Sequence, residues 1–240
     1  MLLPAGCTTL GAAGVFLLRR EATPRTRRVL LGMAAGIMLA ASVWSLLLPA
    51  IELAENQGIA AWIPPSAGLV LGAAGLLRME KTAERLAEQR SHRGRHMILA
   101  VTLHNLPEGM VVGLAAALAL AGTEDALSGA LALSLGIGLQ NIPEGAAVSL
   151  PLAHGGCTRR NAFFAGAASG LVEPLGALLA FVLAGWVSAA LPWLMSAAAG
   201  CMVCVTAQEM IPEAVEADEP AGVVSIVLGF ALMMALDVAL

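Results

Sequence analysis

Long apolar runs, each ended by a short stretch rich in charge, glycine or proline, divide this chain into eight segments. A helix rises 1.5 Å per residue, so crossing a hydrocarbon core takes about 20 apolar residues. The runs at residues 2–18, 29–54, 60–77, 96–120, 126–153, 161–185, 191–211 and 223–240 meet or approach that length. They predict eight transmembrane helices in a single polytopic domain covering residues 1–240. The first run is short, but its basic residues Arg19 and Arg20 follow the apolar stretch instead of preceding it, which predicts a retained span and not a signal peptide.

Composition narrows the class. The 240 residues are 58% hydrophobic and 12% charged, whereas soluble domains carry about 25% charged residues. An all-α membrane protein is expected, with a lipid bilayer as its surroundings, and a soluble enzyme is excluded. A formal net charge of −4 carries no nucleic-acid footprint, so no nucleic-acid partner is expected. Cys7, Cys157, Cys201 and Cys204 are scattered or sit in apolar sequence, which makes neither a disulfide framework nor a paired zinc ribbon.

Charge position sets the orientation. All 13 Lys and Arg fall in alternate joints: Arg19 to Arg28 after the first segment, Arg78 to Arg95 after the third, and Arg159 with Arg160 after the fifth. The positive-inside rule makes these joints cytoplasmic and puts both termini outside, as in a multi-pass protein of the cell inner membrane. The joint after the seventh segment should share that side, although it holds Glu213, Glu216, Asp218 and Glu219 without a basic residue; acids contribute little to topology. Around Arg78 to Arg95, acids and bases alternate at helical spacing, which predicts a solvated helical extension.

Candidate chemistry lies where charge is most costly. A charged side chain at mid-membrane costs roughly 2.5–3.5 kcal/mol on insertion scales, so each one asks for a reason. The fourth segment reads LAVTLHNLPEGMVV, with His104, Asn105 and Glu108; the fifth reads GIGLQNIPEGAAVS, with Gln140, Asn141 and Glu144. One six-residue cassette thus occurs twice, and Glu173 lies in the sixth segment. At about 100° per residue, His104 and Glu108 sit some 40° apart with Asn105 about 60° beyond, so the three share a face; Gln140, Asn141 and Glu144 do likewise. Pro107 and Pro143 cannot donate to the carbonyls of Leu103 and Leu139, so both helices should kink and free backbone oxygens beside the polar face. Matched, interrupted helices are the pattern of a midplane binding site between related elements.

Carboxylates, an imidazole and amide oxygens without a thiolate suit divalent first-row metals: zinc first, with iron(II), manganese and cadmium as alternatives. Such ligands on separable helices can release the ion, so metal is cargo here and no cofactor is expected. Three glutamates leave a charge of −1 around one ion and +1 around two, which leaves both numbers open. Burial beside like charge should keep the acids protonated when no metal is bound, so metal and protons should compete. Gln208 and Glu209, toward the cytoplasmic end of the seventh segment, are candidate exit-side metal contacts, with Glu213 nearby. Glu52, Glu55, Glu124 and Asp125 would gather cations outside. Asp237 is read as solvated, Cys201 and Cys204 as inert packing, and His92 with His96 as a solvated pair.

The HNLPEG and QNIPEG cassettes in consecutive helices, Glu173 in the next, and the second segment LLGMAAGIMLAASVWSLLLPAIE resemble the ZIP (Zrt/Irt-like protein) metal transporters in their bacterial branch. The resemblance covers the whole chain. It implies helices one to three related by inversion to helices six to eight around central kinked helices four and five, a homodimer, and divalent metal moved into the cytosol. It also implies metal ligation by His104, Asn105, Glu108, Gln140, Glu144 and Glu173, with Asn141 facing the second of two adjacent sites and Glu108 and Glu144 bridging. Some members carry histidine at the position of Gln140 and a carboxylate at that of Asn141. The expected function is uptake of divalent transition metal ions by alternating access. The rivals are an intramembrane metalloenzyme, opposed by the lack of an HExxH pair, a cation channel using the same acids, and a sensor that binds metal without moving it.

Overall fold

The computed structural model describes residues 2–17, 23–88, 93–120, 124–154, 156–186, 188–215 and 219–239. In chain order the α-helices are α1 (Leu3–Leu17), α2 (Pro24–Ala41), α3 (Leu48–Asn56), α4 (Ile63–Glu88), α5 (Arg93–Leu120), α6 (Glu124–His154), α7 (Arg159–Gly170), α8 (Val172–Trp186), α9 (Leu191–Val205), α10 (Ile211–Ala214) and α11 (Ala221–Ala239). Among the described residues, four stretches are long and apolar enough to cross a membrane: Pro24–Asn56, Arg159–Leu183, Leu191–Ala214 and Ala221–Ala239. Leu3–Leu17 and Glu108–Leu120 are shorter apolar helices.

Local chemistry sets the ends. Thr23 caps α2, its hydroxyl accepting from the amide of Thr26 at 3.1 Å, with Pro24 as the first helical residue. Thr158 caps α7 in the same way through the amide of Asn161. After α3 the chain turns at Gly58, whose φ of 71° suits glycine and lets Ile59 reach back to the carbonyl of Ala54.

Proline-linked breaks occur outside the two cassettes. Helix α5 runs unbroken through Pro107, and α6 through Pro143. Discontinuities lie instead at two π-helical segments, Ser42–Leu47 and Thr206–Met210. Each ends one residue before a Leu-Pro or Ile-Pro step, at Pro49 and Pro212. A proline ring collides with the carbonyl four residues back, and widening the turn relieves the collision. The amide of Leu48 accordingly reaches the carbonyl of Val43, and that of Ile211 reaches Thr206. Pro174 interrupts the chain between α7 and α8 at Leu171, which puts Glu173 in the first turn of α8, where unpaired amides lend the helix end partial positive charge.

Helices pack in close pairs: α1 on α6, α5 on α8, α2 on α11 and α4 on α9. Small residues make this possible, since association inside lipid depends on backbone approach more than on hydrophobic burial. A side-chain carbon at Gly36 would run into the Ile226 backbone, and one at Gly229 into that of Met33, which joins α2 to α11. The α4–α9 pair repeats this, with Gly200 against Leu69 and Gly72 against Ala197.

Two groups result. Helices α1, α5, α6, α7 and α8 associate with one another, and α2, α3, α4, α9, α10 and α11 form the second group. The main buried core joins them, with Val111, Leu114, Leu133 and Ile137 from the first and Ile37, Met38, Met195, Met202 and Met233 from the second. Large apolar side chains such as Leu71, Leu175 and Val227 stay exposed on the outside, as a lipid-facing surface requires.

Candidate metal centre

Helices α5 and α6 bring the two cassettes together, and α1 and α8 close on them from behind. The glycine after each cassette glutamate is the point of approach. A Cβ on Gly109 would collide with the backbone of Glu173, and one on Gly145 with the backbone of Thr8. Only residues without side chains let these helices approach so closely.

The polar side chains gathered there are cut off from solvent. Asn105, Glu108, Gln140, Asn141 and Glu173 are each at most 1% exposed. Gln140 Nε2 donates to Glu108 Oε1 at 2.9 Å, linking the two cassettes. Asn105 Nδ2 donates to the Ser169 carbonyl at 3.0 Å, and the Thr8 hydroxyl to Glu173 Oε1 at 2.8 Å. Glu144 and Glu173 both lie near enough to Glu108 for their charges to act on it, and Glu144 acts likewise on Glu173. Asn141 faces Glu173, yet neither of its amide atoms makes a hydrogen bond of proper geometry.

Oxygens are left over. Asn105 Oδ1, Glu108 Oε2, Gln140 Oε1, Asn141 Oδ1 and Glu173 Oε2 are buried without a hydrogen-bond partner among the described residues. Nearly all buried polar atoms in folded proteins are satisfied. Five of the orphans at this place are oxygens, all acceptors and matched to a cation, beside the unpartnered Asn141 Nδ2 donor. Among the described residues no three His, Cys, Asp or Glu side chains already converge on one point as a metal cage; amide oxygens make up much of this set. His104 lies on α5 in the same cassette, but its side chain is outside the described residues.

The remaining candidates divide. Gln208 and Glu209 sit on the second π segment, and Gln208 Nε2 donates to Glu80 Oε2 on α4 at 3.3 Å. Glu213, read as an exit-side acid, is held by Arg27 at 2.5 Å. Arg25 and Arg28 both pair with Glu219, at 3.0 and 2.7 Å, so Glu213 and Glu219 lie against the arginines of the first turns of α2. Asp237 corrects the sequence reading. It is half-buried, and its Oδ1 accepts from the Ser45 hydroxyl at 2.7 Å on the first π segment; packing of α11 on α2 covers a position that looked like a solvated helix end. Glu52 and Glu55 are exposed. The side chains of Glu124, Asp125 and His96, and the whole of His92, lie outside the described residues. The Cys201 thiol faces the Gly72 carbonyl at 3.4 Å, a packing contact between α9 and α4. Thr8, Ser45 and Glu80 were missed, because threonine and serine are ordinary in membrane helices and Glu80 reads as part of a charged loop.

Known proteins resemble this chain over most of its length. Residues 79–237 match the family model described as ZIP Zinc transporter. The chain is 39% identical to the "Zinc transporter ZIPB" of Bordetella bronchiseptica over 97% of its own length and 77% of the relative's. It is 34% identical to the "Zinc transporter GufA" of Myxococcus xanthus over 100% and 96% of the two chains. It is 30% identical to the "Zinc transporter ZupT" of Escherichia fergusonii over 91% and 86%.

Proposed function

Because this chain belongs to the ZIP zinc transporter family, we propose that its buried cluster of acids and amides binds a divalent metal ion within the membrane and releases it to the cytosol. The observation that carries this reading is the set of five orphaned acceptor oxygens on α5, α6 and α8. Each unsatisfied buried acceptor costs about 1–3 kcal/mol. A divalent cation satisfies several at once, and no Lys or Arg in the sequence lies in the apolar part of these helices to do so. Zinc is the first candidate, with iron(II), manganese and cadmium behind it. His104, Asn105, Glu108, Gln140, Glu144 and Glu173 are the proposed ligands. Glu108 and Glu144 bridge, and Asn141 faces a second position. Glu108 is central because the Gln140 amide holds its Oε1 and leaves Oε2 for the ion.

The reading includes eight spans with both termini outside the cytoplasm, and helices one to three inverted onto six to eight. Contacts support the inversion. Gly36 meets Ile226 as Gly200 meets Leu69, and Gly229 meets Met33 as Gly72 meets Ala197. Ser42 bonds the Met38 carbonyl at 2.7 Å as Thr206 bonds that of Met202 at 2.8 Å. The Ser45–Asp237 and Gln208–Glu80 pairs match in the same way at opposite ends of the bundle, and serve as the outer and inner contacts of the passing ion. The three arginine–glutamate pairs support a shared cytoplasmic side for the two joints they link.

Alternating access follows from the two helix groups. Every proposed ligand at the centre sits on α5, α6 or α8, and all three belong to one group. The seam with the other group includes Met233 against Gly136, and methionine repacks with little strain. Displacement of one group along the other would carry the site, ion included, from one face to the other. Glu108→Ala tests the assignment: labelled zinc uptake into proteoliposomes should vanish while the protein stays folded, and near-normal uptake would refute it.

A further inference from the structure

Helices α1 and α8 present matching sequences to the two cassettes. Leu10, Gly11 and Ala12 align with Leu175, Gly176 and Ala177, Phe16 falls on Phe181, and Thr8 falls on Glu173. The contacts follow the alignment. Gly11 meets the Ile142 backbone as Gly176 meets that of Leu106, and those two residues hold the same place in the two cassettes. Gly145 meets the Thr8 carbonyl as Gly109 meets that of Glu173. Thr8 therefore stands to α6 as Glu173 stands to α5. It is the neutral half of a related pair, fully buried, with its hydroxyl 2.8 Å from Glu173 Oε1.

That hydroxyl has one proton and two acceptors, since the Pro4 carbonyl lies 3.2 Å away. Donation to Glu173 Oε1 directs the other oxygen, Oε2, which has no partner among the described residues, to the ion. The Thr8 side chain is closely packed, filling the space beside Gly170 where any Cβ would collide. We propose that Thr8 is a positioning residue for metal transport, holding the Glu173 carboxylate so that Oε2 faces the transported ion. This rests on the reading that Glu173 binds that ion. Thr8 touches no metal; it acts on a ligand, as groups behind metal ligands do, and their removal typically weakens metal affinity 10–100-fold.

The test is zinc uptake by the full-length protein in proteoliposomes, with KM and maximal rate separated. Thr8→Val keeps the shape and removes the hydroxyl; it should raise KM about 10–100-fold with a much smaller change in maximal rate. Thr8→Ser should restore a KM close to the parent's. In a Glu173→Gln background, Thr8→Val should add little, because the carboxylate it positions is gone. If Thr8→Val is not recovered folded, Thr8→Ala against Thr8→Ser makes the same comparison. A parental KM in the hydroxyl-free variant, a serine variant as impaired as the valine one, or full additivity with Glu173→Gln would each overturn the proposal. Failure of the underlying reading looks different: Glu173→Gln alone would then transport zinc normally.

Discussion

Replacing Gly109 by alanine adds one methyl group at a close backbone contact beside the site. That carbon would lie 2.6 Å from the carbonyl carbon and from Cα of Glu173. Carbon atoms in contact sit roughly 3.5–4.0 Å apart, so α5 and α8 must separate by roughly 1 Å. Overpacking of this kind costs about 1–3 kcal/mol. The functional cost is larger, because metal–ligand distances hold to about 0.2 Å and the displacement pulls Glu108 away from Glu173. Uptake at low zinc should fall by at least tenfold, and Gly145→Ala should do the same through the Thr8 backbone. The fold supplies its own controls, since Gly75 and Gly129 have nothing within 4 Å of a built Cβ. Alanine there should leave uptake intact and add about 0.4–1 kcal/mol of stability through the unfolded state. Zinc flux in proteoliposomes and thermal melting in detergent measure both quantities. If Gly109→Ala transports and melts like Gly75→Ala, the close approach has no bearing on the site.

Other consequences can be checked separately. Asn141→Asp puts a carboxylate at the second position and should raise the number of zinc ions bound per chain, read by metal analysis after equilibrium dialysis; unchanged stoichiometry removes Asn141 from the site. External acidification from neutral to mildly acid pH should slow uptake if protons and metal compete for the same oxygens, and a flat profile would end that idea. Arg27→Ala should cost under about 1 kcal/mol, because the side chains of Arg27 and Glu213 are 64% and 51% exposed; a loss several times larger would show that the pair holds the joints together.

Much of this protein is legible one helix at a time. Hydropathy marks the apolar helices, and positions three and four residues apart put Asn105 with Glu108 and Gln140 or Asn141 with Glu144 on shared faces, because helical geometry is local. The repeated cassette and the cost of charge in lipid were enough to single out Glu173 as well. Proline positions alone do not show where a helix breaks. Pro107 and Pro143 are accommodated within continuous helices, while the breaks fall at Leu171 and in the π segments ahead of Pro49 and Pro212. A proline inside a helix removes one backbone hydrogen bond, and that loss alone does not set whether the turn widens.

The sequence by itself determined the helical class, the fit to a membrane and the residues too polar to be there by chance. It could not decide which helix faces which, since lipid is as apolar as the protein interior and an apolar face looks the same against either. Tertiary structure alone joined Gln140 to Glu108, covered Asp237 with Ser45, set the arginines at the start of α2 against Glu213 and Glu219, and brought Thr8 to Glu173 across 165 positions of chain. These pairings depend on where glycine lets two backbones touch, a property of helix pairs that no single helix contains.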